Sequence, residues 1–145
     1  MKGTTATGRL ERLNPFVGSW HTEGEMLTGA HAKFEASDEY EWLPGGHFLL
    51  HRFDAQMPEG RVQGIEIIGG GVEDDVYPMH SFDSQGHEGF LLARVDGGTW
   101  TFSGDTMRFA GRFVDEGRTF TGLWQLRSDD GSWQPWMSVR LRRRD

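Results

Sequence analysis

The stretch "KFEASDEYEW", residues 33–42, alternates between polar and mainly apolar side chains with a period of two. Successive side chains of an extended strand point to opposite faces, so this period predicts a β-strand. One face is predicted to carry Lys33, Glu35, Ser37, Glu39 and Glu41. The other, predicted to face the interior, carries Phe34, Ala36, Asp38, Tyr40 and Trp42.

The rest of the chain repeats this design. Short turns such as "LPGG" (43–46), "MPEG" (57–60), "DSQG" (83–86), "VDGG" (95–98) and "SDDG" (128–131) separate about ten strands at spacings of roughly 8–12 residues. A meander of that length usually closes, because closure removes exposed edges. We predict an all-β fold, an antiparallel up-and-down β-barrel of about ten strands in a single domain over residues 1–145.

The segment before the first strand, "TGRLERLNPFVG", predicts a short helix from about Gly8 to Asn14 that Pro15 ends and that closes one end of the barrel. Composition limits the function. The chain has no cysteine, which excludes disulfides, thiolate metal sites and a cysteine nucleophile. It shows no secretory signal and no membrane span, so we expect a cytoplasmic protein.

The formal net charge is -7, which disfavours general nucleic-acid binding because phosphate contacts need concentrated Lys and Arg. The one basic cluster is "RLRRRD" (140–145). We interpret it first as a solvated strand end, with a phosphate or partner patch as the alternative. The 21 glycines and the many Trp and Phe residues are typical of a wide β interior with bends and bulges.

A short helix, then Gly18-Ser19-Trp20 entering the first strand, then a meander, resembles the calycin superfamily, which includes the lipocalins, the fatty-acid-binding proteins and the haem-binding nitrobindins. The resemblance implies that Trp20 packs at the closed end of the barrel beneath a basic residue late in the last strand. Here that residue would be Arg140, Arg142 or Arg143. A cation over an indole face contributes on the order of 0.5–2 kcal/mol.

More narrowly, "EYEWLPGGHFLLHRF", "GIEIIGG", "HSFDSQG" and "GTWTFSGDTMRFAGRF" resemble an uncharacterised family of small bacterial calycin-like domains, over nearly the whole chain. This resemblance implies a fold and no activity. The nitrobindin comparison adds haem binding as an alternative function. The chain lacks that group's early Gly-Tyr-Pro stretch, and its last histidine is His87, so we expect no cofactor.

Barrels of about ten strands enclose more volume than their own side chains normally fill, and an apolar cavity with a few polar groups is the usual small-molecule site. We expect the interior stripe to bind a ligand through Trp42, Trp100, Phe109, Trp124 and Met137. A tight turn at Gly104-Asp105 would place Phe102 opposite Met107 and Trp100 opposite Phe109. Glycines on this stripe, such as Gly111 and Gly122, would leave room for rings.

The polar candidates on the inner face depend on the turn after Trp42. A four-residue turn places Asp38 opposite His51, and a two-residue Gly45-Gly46 turn places Tyr40 opposite His51. Both registers turn His47 and His51 inward, next to Asp38 and Tyr40. A three-residue turn would instead bring Arg52 and Asp54 inside.

We therefore expect Asp38, Tyr40, His47 and His51 to contact the polar end of a small apolar ligand, with Arg52 as a further contact. The alternative is an enzyme, a cofactor-free isomerase, cyclase or hydrolase in which Asp38 orients His51 as a base and Tyr40 stabilises an oxyanion. We expect no nucleic-acid or membrane partner, and a homodimer stays open.

Other titratable residues are harder to place. His47, His51 and a third histidine such as His80 would together form a three-histidine metal site, but we predict no metal, because strand histidines more often form hydrogen bonds. A four-residue "DSQG" turn would place Phe82 opposite His87. The sequence leaves open which face His80, His87 and Glu66 occupy. His21 and His31 are expected at the surface.

Overall fold

The computed structural model describes residues 8–71, 73 and 75–145. Ten antiparallel strands form a closed barrel, in which each strand pairs with its neighbours in sequence and the first pairs with the last. The strands are β1 (Gly18–Met26), β2 (Lys33–Trp42), β3 (Phe48–Met57), β4 (Gly60–Gly69), β5 (Val76–Asp83), β6 (Glu88–Asp96), β7 (Thr99–Ser103), β8 (Met107–Val114), β9 (Thr119–Arg127) and β10 (Trp133–Arg143). The predicted all-β, up-and-down barrel is confirmed.

A 3-10 helix, Gly8–Phe16, precedes β1, and a second short one, Asp115–Gly117, joins β8 to β9. The first helix runs two residues beyond the predicted end and contains Pro15. Pro15 lacks an N–H, yet the last turn still closes through the Val17 N–H, which donates to the Asn14 carbonyl at 3.0 Å. The helix buries Leu13 and Phe16 in the end of the barrel.

Trp20 closes that end. Its side chain is fully buried, and its Nε1–H donates to the Phe16 carbonyl at 2.9 Å. The Arg143 guanidinium lies 4.1 Å from the centre of the indole ring and donates to the Val17 carbonyl at 2.6 Å. Gly18 has a φ of +130°, and a Cβ there would lie 2.5 Å from an Arg143 nitrogen. Arg143 is therefore the basic partner of Trp20, and Gly18 gives it room.

The half of the barrel next to this helix, called the closed half, is filled by rings. The Phe16 ring lies 4.9–5.5 Å from the rings of Tyr40, Trp100, Phe113 and Phe120. The water-accessible space left beside Tyr40 is about 10 Å³, roughly the room that one water molecule needs. The expectation of a roomy central cavity is therefore wrong for this half, because Leu13 and Phe16 insert into it.

Glycines on the inner face let one ring lie flat against the wall. A Cβ at Gly122 would come within 2.3 Å of the Phe109 ring, and one at Gly111 within 2.6 Å. The predicted role of these two glycines is confirmed. The predicted register of this hairpin is wrong by two residues: Trp100 pairs with Gly111, and Phe102 pairs with Phe109. The turn is wider than expected, because the Gly104 N–H bonds to the Met107 carbonyl, and an even shift keeps the same side chains inside.

The opposite half, called the open half, lies at the end formed by the β1–β2, β3–β4, β5–β6, β7–β8 and β9–β10 turns. Its inner stripe is apolar but only partly buried, at Ala36, Phe53, Ala55, Val62, Met107, Trp124, Leu126 and Met137. Most inner side chains at this end are therefore partly exposed, although Phe34 is buried at 7% exposure against Gly24. No helix in the described part of the chain is both long enough and apolar enough to cross a membrane.

Candidate functional site

His51 lies on the inner face of β3, where the two halves of the barrel meet. It pairs across the strands with Tyr40 of β2 and with Glu66 of β4. This is the register predicted for a Gly45-Gly46 turn, and it brings Asp38, Tyr40 and His51 together as expected from the sequence.

Both nitrogens of the His51 ring are engaged by carboxylates. Nε2 lies 2.6 Å from Asp38 Oδ1, and Nδ1 lies 3.0 Å from Glu66 Oε1. The three side chains are only 11–13% exposed. The Thr22 hydroxyl donates to the second oxygen of Asp38. We call Asp38, His51 and Glu66 the triad.

The charge of His51 follows from these partners. Burial alone lowers the pKa of His51, but hydrogen bonds to Asp38 and Glu66 and the charges of both groups outweigh it and raise the pKa from 6.5 to about 9. At neutral pH the ring is therefore an imidazolium that donates one N–H to each carboxylate. Two carboxylates outnumber one imidazolium, so the triad keeps a net negative charge.

Tyr40 covers one face of His51. The two rings are stacked, with centroids 4.1 Å apart and planes 8° from parallel. Burial, followed by the charges of Asp38 and Glu66, raises the pKa of Tyr40 well above its usual 10, so the phenol stays neutral. In the described part of the chain, the Tyr40 hydroxyl and Glu66 Oε2 have no hydrogen-bond partner. These two groups are therefore available to form hydrogen bonds with a ligand.

Glu66 is the site residue that the sequence did not place. It is 8% exposed and faces inward, while its neighbours Ile65 and Ile67 face outward, which inverts the usual hydrophobic pattern. A usable signal lies in the "MPEG" turn. A two-residue Pro58-Glu59 turn pairs Met57 with Gly60, and that register sets Glu66 opposite His51.

The apolar candidates separate by position. Trp42, Trp100 and Phe109 are 6%, 3% and 2% exposed and belong to the packed core, while Trp124 and Met137 lie on the stripe of the open half.

The prediction that His47 faces inward is wrong. His47 is exposed in the turn that precedes β3, and the Leu43 N–H bonds to the Phe48 carbonyl, so the strand begins only after His47.

Arg52 also lies outside the barrel, where it pairs with Glu41, and the three-residue turn that would have brought it inside is not adopted. His80 is exposed on the outer wall with its ring 4.8 Å from that of Phe90. His47, His51 and His80 therefore do not converge. Within the described residues, no group of three His, Asp or Glu side chains has an arrangement that could hold a metal ion.

The remaining histidines are His87, His21 and His31. Phe82 pairs with Glu88 and not with His87, because the Asp83 N–H bonds to the His87 carbonyl inside the turn. His21 and His31 lie at the surface as expected, each beside a glutamate.

Comparison with known proteins gives a family. The family described as "Protein of unknown function (DUF1579)" matches residues 7–115, which include all three triad residues. The chain belongs to the DUF1579 family. No curated protein matches it.

A solved structure shares the fold of this DUF1579 member. The crystal structure of Rv2717c from M. tuberculosis superposes with a TM-score of 0.66 at 16% identity, over 98% of this chain and 100% of that one. A de novo designed fluorescence-activating β-barrel gives a TM-score of 0.48 at 18% identity, over 89% of this chain and 94% of that one. At these identities the likeness to Rv2717c concerns the fold alone.

Proposed function

We propose that the barrel binds a small, mainly apolar molecule in its open half, with a hydrogen-bond-donating end directed at the triad. One observation carries the proposal. A buried acidic triad with an unpaired carboxylate oxygen lies where a partly exposed apolar stripe begins. An apolar wall with a few convergent polar groups is the usual design of a small-molecule site.

The position of the ligand follows from the packing. The cavity beside Tyr40 in the closed half has a volume of about 10 Å³, which is too little for anything larger than water. The open half presents partly exposed side chains such as Phe53, Trp124 and Met137. A ligand placed there would bury apolar surface at about 25 cal/mol per Å².

The polarity of the ligand follows from the triad. Glu66 Oε2 only accepts hydrogen bonds, and the triad is net negative. An amine or hydroxyl end would donate to this oxygen, and a hydroxyl or neutral amine would also accept from the Tyr40 hydroxyl. A carboxylate end would meet like charge, and the single Tyr40 hydroxyl would not replace its lost hydration.

The same geometry weighs against the alternative functions. An imidazolium with both N–H groups donating has no lone pair with which to abstract a proton at neutral pH, so His51 is poorly suited as a general base. For haem, an axial ligand would be needed inside the barrel. All six histidines lie in the described part of the chain, and of these only His51 faces inward, with both nitrogens engaged.

The location is tested with the fluorescent probe N-phenyl-1-naphthylamine, which is apolar and carries one N–H donor. We expect saturable binding to the wild-type protein and loss of that binding in Ala55→Trp, which fills the open half. The matched control Gln56→Trp puts the same side chain on the outer wall and should bind normally. Equal binding by wild type and Ala55→Trp, with both folded by circular dichroism, would refute the location.

The preference for a ligand that donates a hydrogen bond is tested with 1-phenoxynaphthalene, in which an ether oxygen replaces the N–H. Wild type should prefer the amine by about tenfold, the worth of one hydrogen bond to a charged group. Glu66→Gln should abolish this preference, and the exposed Glu88→Gln should retain it. Equal affinity of wild type for both probes would rule out a donor-directed site.

A further inference from the structure

A second cavity, separate from the triad, is a groove on the outer wall of the barrel. Its volume is about 520 Å³, which falls in the range of small-molecule sites. It lies at the closed end over β9 and β10, beside the short 3-10 helix Asp115–Gly117. We call it the arginine groove, after its four lining arginines Arg118, Arg140, Arg142 and Arg143.

The alternation of β9 and β10 creates the groove. Thr121 pairs across the strands with Arg140, and Thr119 pairs with Arg142, with all four side chains on the outer face. Short threonine side chains form the floor, and long arginine side chains of the next strand form a wall. Val114, at the end of β8, lies on the other side.

Cations outnumber acids in the lining of the groove, although Glu23 of β1 lies directly across the strands from Arg140. Its lining includes one acid, Asp115, against four guanidinium groups. Arg118 donates to Asp145 at 2.7 Å, and the two side chains are 52% and 89% exposed, respectively. Within the described residues, Arg140 and Arg142 form no ion pair. This concentration of positive charge stands out in a chain whose formal net charge is -7.

Arg143 ties the groove to the closed end of the barrel. It stacks on Trp20 and donates to main-chain carbonyls, so its position is fixed. Burial, followed by the nearby charge of Arg118, lowers the pKa of Arg143. The guanidinium groups of Arg118 and Arg143 thus repel each other, and a bound anion would relieve that repulsion.

We propose that the arginine groove binds a small soluble molecule that carries a phosphate or pyrophosphate group. Guanidinium groups match phosphate oxygens in paired hydrogen bonds, and the Thr119 hydroxyl adds a donor from the floor. Several cations around one cavity suit a multiply charged anion better than a single carboxylate. The acidic remainder of the molecule disfavours a nucleic acid or a membrane surface, which would contact far more than this groove.

Isothermal titration with sodium pyrophosphate and sodium phosphate tests the proposal. We expect saturable binding, tighter for pyrophosphate, and at least tenfold weaker binding in Arg140→Gln and in Arg142→Gln. Arg94→Gln is the matched control, because Arg94 is an exposed outer-wall arginine on β6. Circular dichroism checks that all variants are folded.

The absence of saturable binding would overturn the proposal. Equal weakening by Arg94→Gln would also overturn it, because it would show a general counterion effect. A third result would change the source of the phosphate. Co-sedimentation with phosphatidylcholine vesicles containing phosphatidic acid, if it requires Arg140 and Arg142, would assign the groove to a lipid headgroup instead of a soluble ligand.

Discussion

The closed and open halves of the barrel are built from the same ten strands and the same alternating inner stripe, yet they differ in what fills them. In the closed half, Leu13 and Phe16 enter from the N-terminal helix and meet Trp20 and Trp100, all at most 3% exposed. In the open half, most inner side chains stay partly exposed, with Phe34 the buried exception at 7%. Strand alternation therefore makes the wall, while the inserted helix decides which half is a core and which half can bind a ligand.

The largest expected effect comes from opening the closed half. Trp20→Ala removes a fully buried indole beneath Arg143 and should lower the free energy of unfolding by about 3–5 kcal/mol. The control Trp133→Ala removes an outer-wall indole that stacks on Arg108, and should cost about 1 kcal/mol. Urea unfolding measures both. Equal costs would mean that the burial of Trp20 in the closed half adds no stability over an indole on the outer wall.

The second effect is a pH dependence at the border of the two halves. Because the pKa of His51 is raised from 6.5 to about 9, its stabilisation is complete below pH 6.5 and is lost as the pH rises through 9. The free energy of unfolding should fall by about 3 kcal/mol over that window.

His51→Gln should remove this fall in stability, while the outer-wall variant His21→Gln should keep it. If His51→Gln does not fold, Glu66→Gln serves in its place and should narrow the window from its upper end. A wild-type stability that is flat between pH 6.5 and 9 would contradict the charge assigned to the triad.

The smallest effect compares one glycine from each half. A Cβ at Gly122 would lie 2.3 Å from the Phe109 ring and 2.4 Å from the Ala110 carbonyl oxygen, so Gly122→Ala should cost about 1–3 kcal/mol. A Cβ at Gly89 would meet only the Ser81 hydroxyl at 2.5 Å, which can rotate away. Gly89→Ala should change stability by less than about 0.5 kcal/mol in thermal unfolding. A larger loss of stability for Gly89→Ala than for Gly122→Ala would show that the closed half is not the more tightly packed of the two.

The sequence was most informative where a short-range rule decides the outcome. The period of two in residues 33–42 placed Asp38 and Tyr40 inside, and the Gly45-Gly46 register placed His51 beside them. Register errors of two residues, as in the β7–β8 hairpin, left the inner stripe intact, because parity survives an even shift.

The misses concern long-range placement. The predicted inward orientation of His47 was wrong because β3 begins after His47, later than the turn alone suggested. The prediction of a roomy cavity was wrong for the closed half, because nothing local in "GRLERLNPF" shows that Leu13 and Phe16 enter the barrel. Glu66 was left open because its outward isoleucines invert the hydrophobic pattern. Whether the DUF1579 barrel binds a small molecule stays a prediction.

The protonation of His51 tests the central claim most directly, since the proposed site depends on an imidazolium held between two buried carboxylates. Long-range ¹⁵N–¹H NMR of the histidine rings at pH 7.5 should show both His51 nitrogens protonated, with a titration midpoint of about 9. A neutral His51 ring with one bare nitrogen at that pH, titrating near the ordinary 6.5, would contradict the account.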